Sequence, residues 1–263
     1  MPYSKHSRLL GEERRRKILQ LVDKNGQVTI TDLAERFSVS AVTVRADLDA
    51  LSSSGALRRS HGGAVGRAEA TPDYPLRLKA ALHRAEKARI GRAAAQLVKP
   101  NETIILDSGT TTAEIATHLK ETKIQPITVI TNALNIALEL ADAPRVSIIL
   151  IGGLLRPVSY SSVGPQAEAM LRDLHADHLF LAVDGFDSES GPSTPDVLEA
   201  QLNSVMVRIA REVTVVADSS KLGRRSVSRI GPFERIARLI TDKRASPEFI
   251  EALRKKGVEV KLV

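Results

Sequence analysis

Leu106 to Thr112 of this 263-residue chain read LDSGTTT, a run that sets one carboxylate, four hydroxyls and a glycine side by side. Small residues at the carboxyl end of a strand let backbone N–H groups and hydroxyls converge beside a helix N-terminus, and a phosphate fits such a cradle. Asp107, Ser108, Gly109, Thr110, Thr111 and Thr112 are therefore candidate anion ligands. The run is neither a Walker loop, since no Gly-Lys-Ser/Thr follows, nor GxGxxG. Three further segments close apolar runs in a similar way: Thr131-Asn132, Gly152-Gly153 and Asp184-Gly185-Phe186-Asp187. The stretch ADSSK, Ala217 to Lys221, adds another carboxylate and a lysine that can neutralise a phosphate.

Paired carboxylates beside a sugar-phosphate pocket are also what proton-transfer isomerisation needs, so an enzyme is one reading of these residues. His175 and His178, with Asp177 between them, invite a metal, but no third ligand accompanies them; they read as the end of a loop entering a strand. There is no cysteine, which removes disulfides, thiol nucleophiles and cysteine-held metal sites. Neither a metal nor a cofactor is expected.

A second set of chemistry-bearing residues lies at the N-terminus. Residues 1–68 hold twelve Lys+Arg against seven Asp+Glu, which places +5 of the net +7 in the first quarter of the chain. Such an excess suits phosphate neutralisation on a nucleic acid. Aromatic residues are 3% with no Trp, which disfavours the stacking platforms of single-strand binders and favours duplex DNA. In FSVSAVTVRADLDAL, Phe37 to Leu51, a helix capped by Ser40 turns Ala41, Val44, Leu48 and Leu51 inward. Ser40, Thr43 and Arg45 are then available to bases or phosphates, and Arg58, Arg59 and His61 would hold the backbone from a basic hairpin. The competing readings are a protein-interaction module and an Arg45–Asp49 pair at i,i+4.

The elements that position these residues follow from periodicity. Glu12 to Asn25 reads as a helix, and Thr29-Ile30-Thr31-Asp32 has the form of a capping box opening a second. With the Ser40-capped helix and the hairpin around Gly62-Gly63 they make a winged helix-turn-helix over residues 1–64. Residues 65–75, with Gly66, Pro72 and Pro75, read as a linker. From residue 76 to 263 the pattern alternates. Strands are expected at Thr103–Asp107, Ile127–Thr131, Val146–Ile151, His178–Val183, Val213–Ala217, Arg238–Thr241 and Val258–Val263. Helices are expected at Glu86–Val98, Ala113–Leu119, Leu134–Leu140, Pro165–Leu171, Val197–Arg211 and Pro247–Lys256. This is an α/β domain with a mainly parallel sheet, whose strand carboxyl ends form the rim where ligands bind. Pro192 to Pro195 read as either a lid or a rigid turn. The longest apolar run, Val146 to Leu155, is too short for a bilayer, and a cytoplasmic protein is expected.

The run GEERRRKILQLVDKNGQVTITDLAERFSVSAVTVRADLDALSSSGALRRSHGGAV resembles the N-terminal signature of the DeoR family of bacterial transcription regulators. One departure is Ala46, where the family pattern has a second arginine. DSGTTT, TN, IGG, VDG and DSSK resemble the family's sensor domain, which is similar in fold to ribose-5-phosphate isomerase and binds phosphorylated sugars. SYSSVGPQAEAML, VDGFDSESGPST and EAQLN are most like regulators of N-acetylgalactosamine and related amino-sugar operons. The resemblance implies that Asp107 through Thr112 and Lys221 hold a phosphate while Asp184, Asp187 and Glu199 face the sugar. Asn132, Gly152 and Gly153 complete the expected rim. The isomerase's lysine-bearing loop corresponds here to Ser190-Gly191-Pro192-Ser193-Thr194, which has no lysine, so a sensor is expected rather than a catalyst. The implied partners are operator DNA, a phosphorylated sugar or amino sugar, and further copies of the chain in a dimer or tetramer.

Overall fold

The computed structural model describes residues 11–25, 27–54, 56–60, 62–65, 73–121 and 126–263. The chain divides into two compact units, Met1–Leu82 and His83–Val263. The first unit runs α1 (Gly11–Asn25), β1 (Gln27–Thr29), α2 (Ile30–Phe37), α3 (Ala41–Ser53), β2 (Arg58–Ser60), β3 (Gly63–Val65) and α4 (Leu76–Ala81). Thr29 caps α2 by accepting the Asp32 N–H at 3.1 Å. The turn into α3 contains no glycine: Ser38 takes the left-handed conformation at φ 51°, and the Val39 N–H returns to the Ala34 carbonyl. Ile18, Leu19, Val22, Leu33, Val44, Leu48 and Leu51 form the core of the unit. The three short strands pair antiparallel in the order β1-β3-β2. Gly63 is required there, because a Cβ would lie 2.0 Å from the Val28 carbonyl oxygen. Tyr74 is buried in this same core, so residues 73–82 pack with the first unit, whereas the composition had suggested a linker to residue 75 and a second domain from 76.

The second unit runs α5 (Arg84–Ala95), β4 (Thr103–Leu106), α6 (Thr110–Glu121), β5 (Ile127–Thr131), α7 (Leu134–Leu140), β6 (Val146–Leu150), β7 (Leu154–Arg156), β8 (Ser161–Val163) and α8 (Pro165–Leu171). It continues with β9 (Ala176–Ala182), β10 (Gly185–Asp187), β11 (Gly191–Thr194), α9 (Val197–Ile209), β12 (Ala210–Val216), β13 (Ser228–Arg229), β14 (Arg238–Thr241), α10 (Pro247–Lys255) and β15 (Glu259–Leu262). Seven strands form one sheet in the order β15-β14-β12-β9-β4-β5-β6, parallel at every pairing. Alternate residues serve opposite faces. Ile105, Leu179 and Leu181 face a core shared with α8, α9 and α10, while Ile104, Leu106 and Phe180 face one shared with α5, α6 and α7. A parallel sheet covered on both sides needs apolar residues at both parities, as these strands supply.

Two small antiparallel sheets complete the unit, β7-β8 and β10-β11-β13. Gly191–Thr194 is therefore a central strand paired on both sides, neither a lid nor a simple turn. The chain order reverses between β4 and β9: from β4 it proceeds outward to β5 and β6, then returns to β9 on the other side. That is the switch point at which open α/β sheets carry their ligands.

Candidate functional site

In the first unit, α3 divides into two faces. Val44, Asp47, Leu48 and Leu51 are buried; Val42, Arg45, Ala46 and Asp49 are exposed. Ser40 Oγ accepts the Thr43 N–H at 3.1 Å and lies 2.9 Å from Thr43 Oγ1, so the two hydroxyls named as DNA ligands already engage each other. Arg45 has no ion-pair partner among the described residues, and Asp49 does not take it. Asp49 instead holds Arg59 of the wing at 3.1 Å, and Arg59 also donates to the Gly63 carbonyl. Arg58 occupies β2 opposite Val65, and His61 lies outside the described residues. Behind the helix, Asp47 accepts from Arg14 and Arg15 of α1.

In the second unit, the carboxyl end of β4 runs directly into α6. Thr110, Thr111 and Thr112 are the first turn of that helix, three residues ahead of the expected start at Ala113. N–H groups of a first helical turn have no intrahelical acceptor, and they carry the positive end of the helix dipole. Asp107 ties this loop to the neighbouring strand. Its carboxylate accepts from Gly109 N at 3.2 Å and Ala182 N at 3.0 Å, and Thr112 Oγ1 lies 3.0 Å away. Gly109 must be glycine, since a Cβ would meet Ala182 Cβ at 2.0 Å. Burial pushes the Asp107 carboxyl up to about 7 against the pull of these donors, with Glu199 adding to the rise.

Glu199 of α9 accepts from Ser108 Oγ at 3.4 Å and from Arg156 at 2.8 Å. Arg156 also meets Ser159 Oγ at 2.7 Å and Asp196, the N-cap of α9, at 3.2 Å. Asp184, at the end of β9, accepts from Thr194 Oγ1 at 3.4 Å and faces Lys221 Nζ at 3.8 Å. Lys221 stands on a turn whose Ser219 is bound by Asp242 through both N–H and hydroxyl. Burial opposes ionisation of Asp218 in that turn, yet Lys221 and His83 hold its carboxyl below the usual range.

The remaining named residues have other partners. Asn132 is buried at the end of β5; Nδ2 donates to the Ser162 carbonyl at 2.9 Å and Oδ1 has no hydrogen-bond partner among the described residues. Gly152 N–H meets Met170 Sδ at 3.3 Å, and a Cβ on Gly153 would lie 2.7 Å from the Val163 carbonyl oxygen. Gly153 lets the chain entering β7 pass close to β8 and the start of α8. Asp187 accepts from Glu189 N, Ser190 N and Arg225. Burial works against its ionisation, but these donors bring its carboxyl down to about 2. The structure thus brings Asp107–Thr112, Glu199, Asp184 and Lys221 to the switch-point rim and engages Asp187 in its own turn.

His178 is a buried imidazole bonded to Thr214 Oγ1 at 2.7 Å and stacked on Phe180. Burial pushes its pKa down to about 4. His175 is exposed and bonds to the Leu174 carbonyl. Among the described residues no helix is long and apolar enough to cross a membrane.

Both halves match known protein families. The DeoR-like helix-turn-helix domain matches residues 14–69 and the DeoR C-terminal sensor domain residues 82–243. The chain belongs to the DeoR family. It is a DNA-binding transcription repressor, not an enzyme. A protein of Escherichia coli O157:H7 named as an aga operon transcriptional repressor is 41% identical over 95% of this chain and 93% of its own. The regulator GolR of Listeria innocua is 33% identical over 95% of this chain and 98% of its own, and UlaR of Escherichia coli O1:K1 / APEC 31% over 94% and 97%. Ribose 5-phosphate isomerase A from Neisseria gonorrhoeae aligns with TM-score 0.40 and 14% identity over 55% of this chain and 54% of that one. That likeness is too loose to bear on what the site binds.

Sequence reasoning on this DeoR-family chain missed Asp47, Arg156, Asp196 and Asp242. Arg156 and Glu199 are 43 positions apart, and no local pattern joins them. Asp47 offered one signal: a charged residue at the helical position flanked by inward-facing Val44, Leu48 and Leu51.

Proposed function

We propose that this repressor controls a carbohydrate catabolic operon and that a phosphorylated sugar at the rim between β4 and β9 is its effector. The observation that carries the reading is the Asp107–Thr112 cradle, where the first turn of α6 meets the switch point of the sheet. A phosphate there takes the free N–H groups of the helix and the Thr111 hydroxyl, and Ser108 joins them by turning its hydroxyl from Glu199 to the anion. Lys221 stands on the next rim turn but one with Asp184 beside it, and Glu199 reaches the cradle at Ser108; both carboxylates suit sugar hydroxyls. Asn132 Oδ1, buried and unpartnered at the end of the strand adjoining β4, fits a hydroxyl or amino hydrogen of the same ligand. With carboxylates more numerous than cations at this rim, an amino-sugar phosphate is the preferred effector, in keeping with the name of the E. coli relative.

The chain acts as a homo-oligomer on a pseudo-palindromic operator, and effector binding weakens operator affinity. A coupling of about 1–3 kcal/mol suffices, provided that the effector prefers the weakly binding state. A thermal-shift panel of inorganic phosphate, sugar phosphates, amino-sugar phosphates and the unphosphorylated sugars tests the reading. A ligand present at about 100 times its Kd raises stability by about 2.7 kcal/mol. Stabilisation by phosphorylated compounds alone, greatest with the amino-sugar phosphates, is expected; stabilisation by free sugars alone would remove the phosphate from the argument.

A further inference from the structure

The outward face of α3 is not composed as its polar neighbours suggest. Ser40 and Thr43 bond to each other, and Asp49 is paired with Arg59, which leaves Val42, Arg45 and Ala46, with Ala50 and Ser53 farther along the helix, as its exposed side chains without such engagements among the described residues. Val42 is 71% exposed. A single exposed valine on a protein surface is ordinary. This one stands in the first turn of the recognition helix, where a β-branched residue lowers helix propensity and an acidic one would suit the dipole. Residues 42 and 46 are one helical turn apart, so Val42 and Ala46 share a face with Arg45 between them in sequence.

We infer that Val42, with Ala46 beside it, reads the C5-methyl group of thymine in the major groove, and that Arg45 contacts an adjacent base or phosphate. N-terminal residues of a recognition helix approach base edges, and thymine is the base that presents an apolar group there. Ala46 keeps the face shallow enough for this approach, whereas a longer side chain would hold the helix away from the bases. The inference depends on DNA binding alone and is independent of the effector.

The test is a double-mutant cycle between protein and DNA. The full chain selects its preferred duplex from a random library, and each thymine in that duplex is replaced in turn by deoxyuridine, which removes only the methyl group. Binding is measured for the natural sequence and for Val42→Ala, whose exposed position leaves the fold intact. At one or two positions deoxyuridine weakens the natural protein by about fourfold, the worth of one buried methyl. Val42→Ala shows the same weakening on the thymine duplex and no further loss on deoxyuridine at that position. Equal losses for both proteins at every thymine, or no effect of deoxyuridine anywhere, overturns the inference. An unchanged melting temperature for Val42→Ala excludes unfolding as the source of the loss.

Discussion

Two buried groups in the sensor unit titrate in opposite senses. Asp107 holds its proton more tightly folded than unfolded: its contribution to stability is present below 3.8 and is lost as pH rises through about 7. His178 holds its proton less tightly when folded, so its contribution is present above 6.5 and is lost as pH falls toward about 4. Between about 4 and 6.5 one slope offsets the other. Asp107→Asn should therefore unmask a stability that rises with pH over that interval, and His178→Leu one that falls, each by up to about 1.4 kcal/mol per pH unit. Melting temperatures read across the interval decide it; superimposable profiles for both variants and the parent would show that neither group titrates as its burial dictates. In the DNA-binding unit the contrast is between neighbours. Asp47→Asn leaves Arg14 buried beside a neutral amide and should destabilise the unit by about 3 kcal/mol. Arg45 is exposed and has no ion-pair partner among the described residues, so Arg45→Ala should leave stability unchanged and weaken DNA binding. A denaturation curve unaltered by Asp47→Asn would count against the buried pair.

At the scale of elements, Arg156 joins the β7–β8 hairpin to the start of α9, and Glu199 joins α9 to Ser108 in the proposed anion cradle. Two carboxylates near a phosphate site repel the ligand unless a cation cancels them. Arg156→Gln is expected to weaken inorganic phosphate binding by about tenfold, equivalent to roughly 1.4 kcal/mol, and the further change Glu199→Gln should restore most of it. No recovery in the double variant would mean that Arg156 contacts the anion directly. Ser108 and Glu199 were named from the sequence, but the part of Arg156 was not visible there, because it lies 43 positions from Glu199 and in a three-residue strand. Strands of the main sheet were legible: Ile127–Thr131 is a β-branched run between Pro126 and Asn132, Arg238–Thr241 holds Leu239 and Ile240 ahead of Asp242, and the structure has both at those bounds. The short strands Gly185–Asp187, Gly191–Thr194 and Ser228–Arg229 are fixed by pairing with one another, which no local propensity records. Thr110–Thr112 read as loop because threonine is a weak helix former, whereas α6 begins at Thr110, directly after the glycine packed against β9.

At the scale of the molecule, each unit has a hydrophobic core of its own. DNA reading and effector capture should therefore be separable by mutation. Arg45→Ala should lower operator affinity with effector affinity intact, and Thr111→Val, at the first turn of α6, should do the reverse. If the effector controls operator binding, linkage requires the control to run both ways by the same factor. An effector that weakens operator binding tenfold must itself bind tenfold more weakly to the operator-bound protein, about 1.4 kcal/mol in each direction. The measurement is effector affinity with and without saturating operator duplex, followed by the same pair with Arg45→Ala. In that variant, at duplex concentrations too low for it to bind, the operator should have no effect on the effector. Unequal factors in the natural protein would mean that the two ligands do not act through a common pair of states, and the sensor would then have to control transcription by a route other than operator affinity.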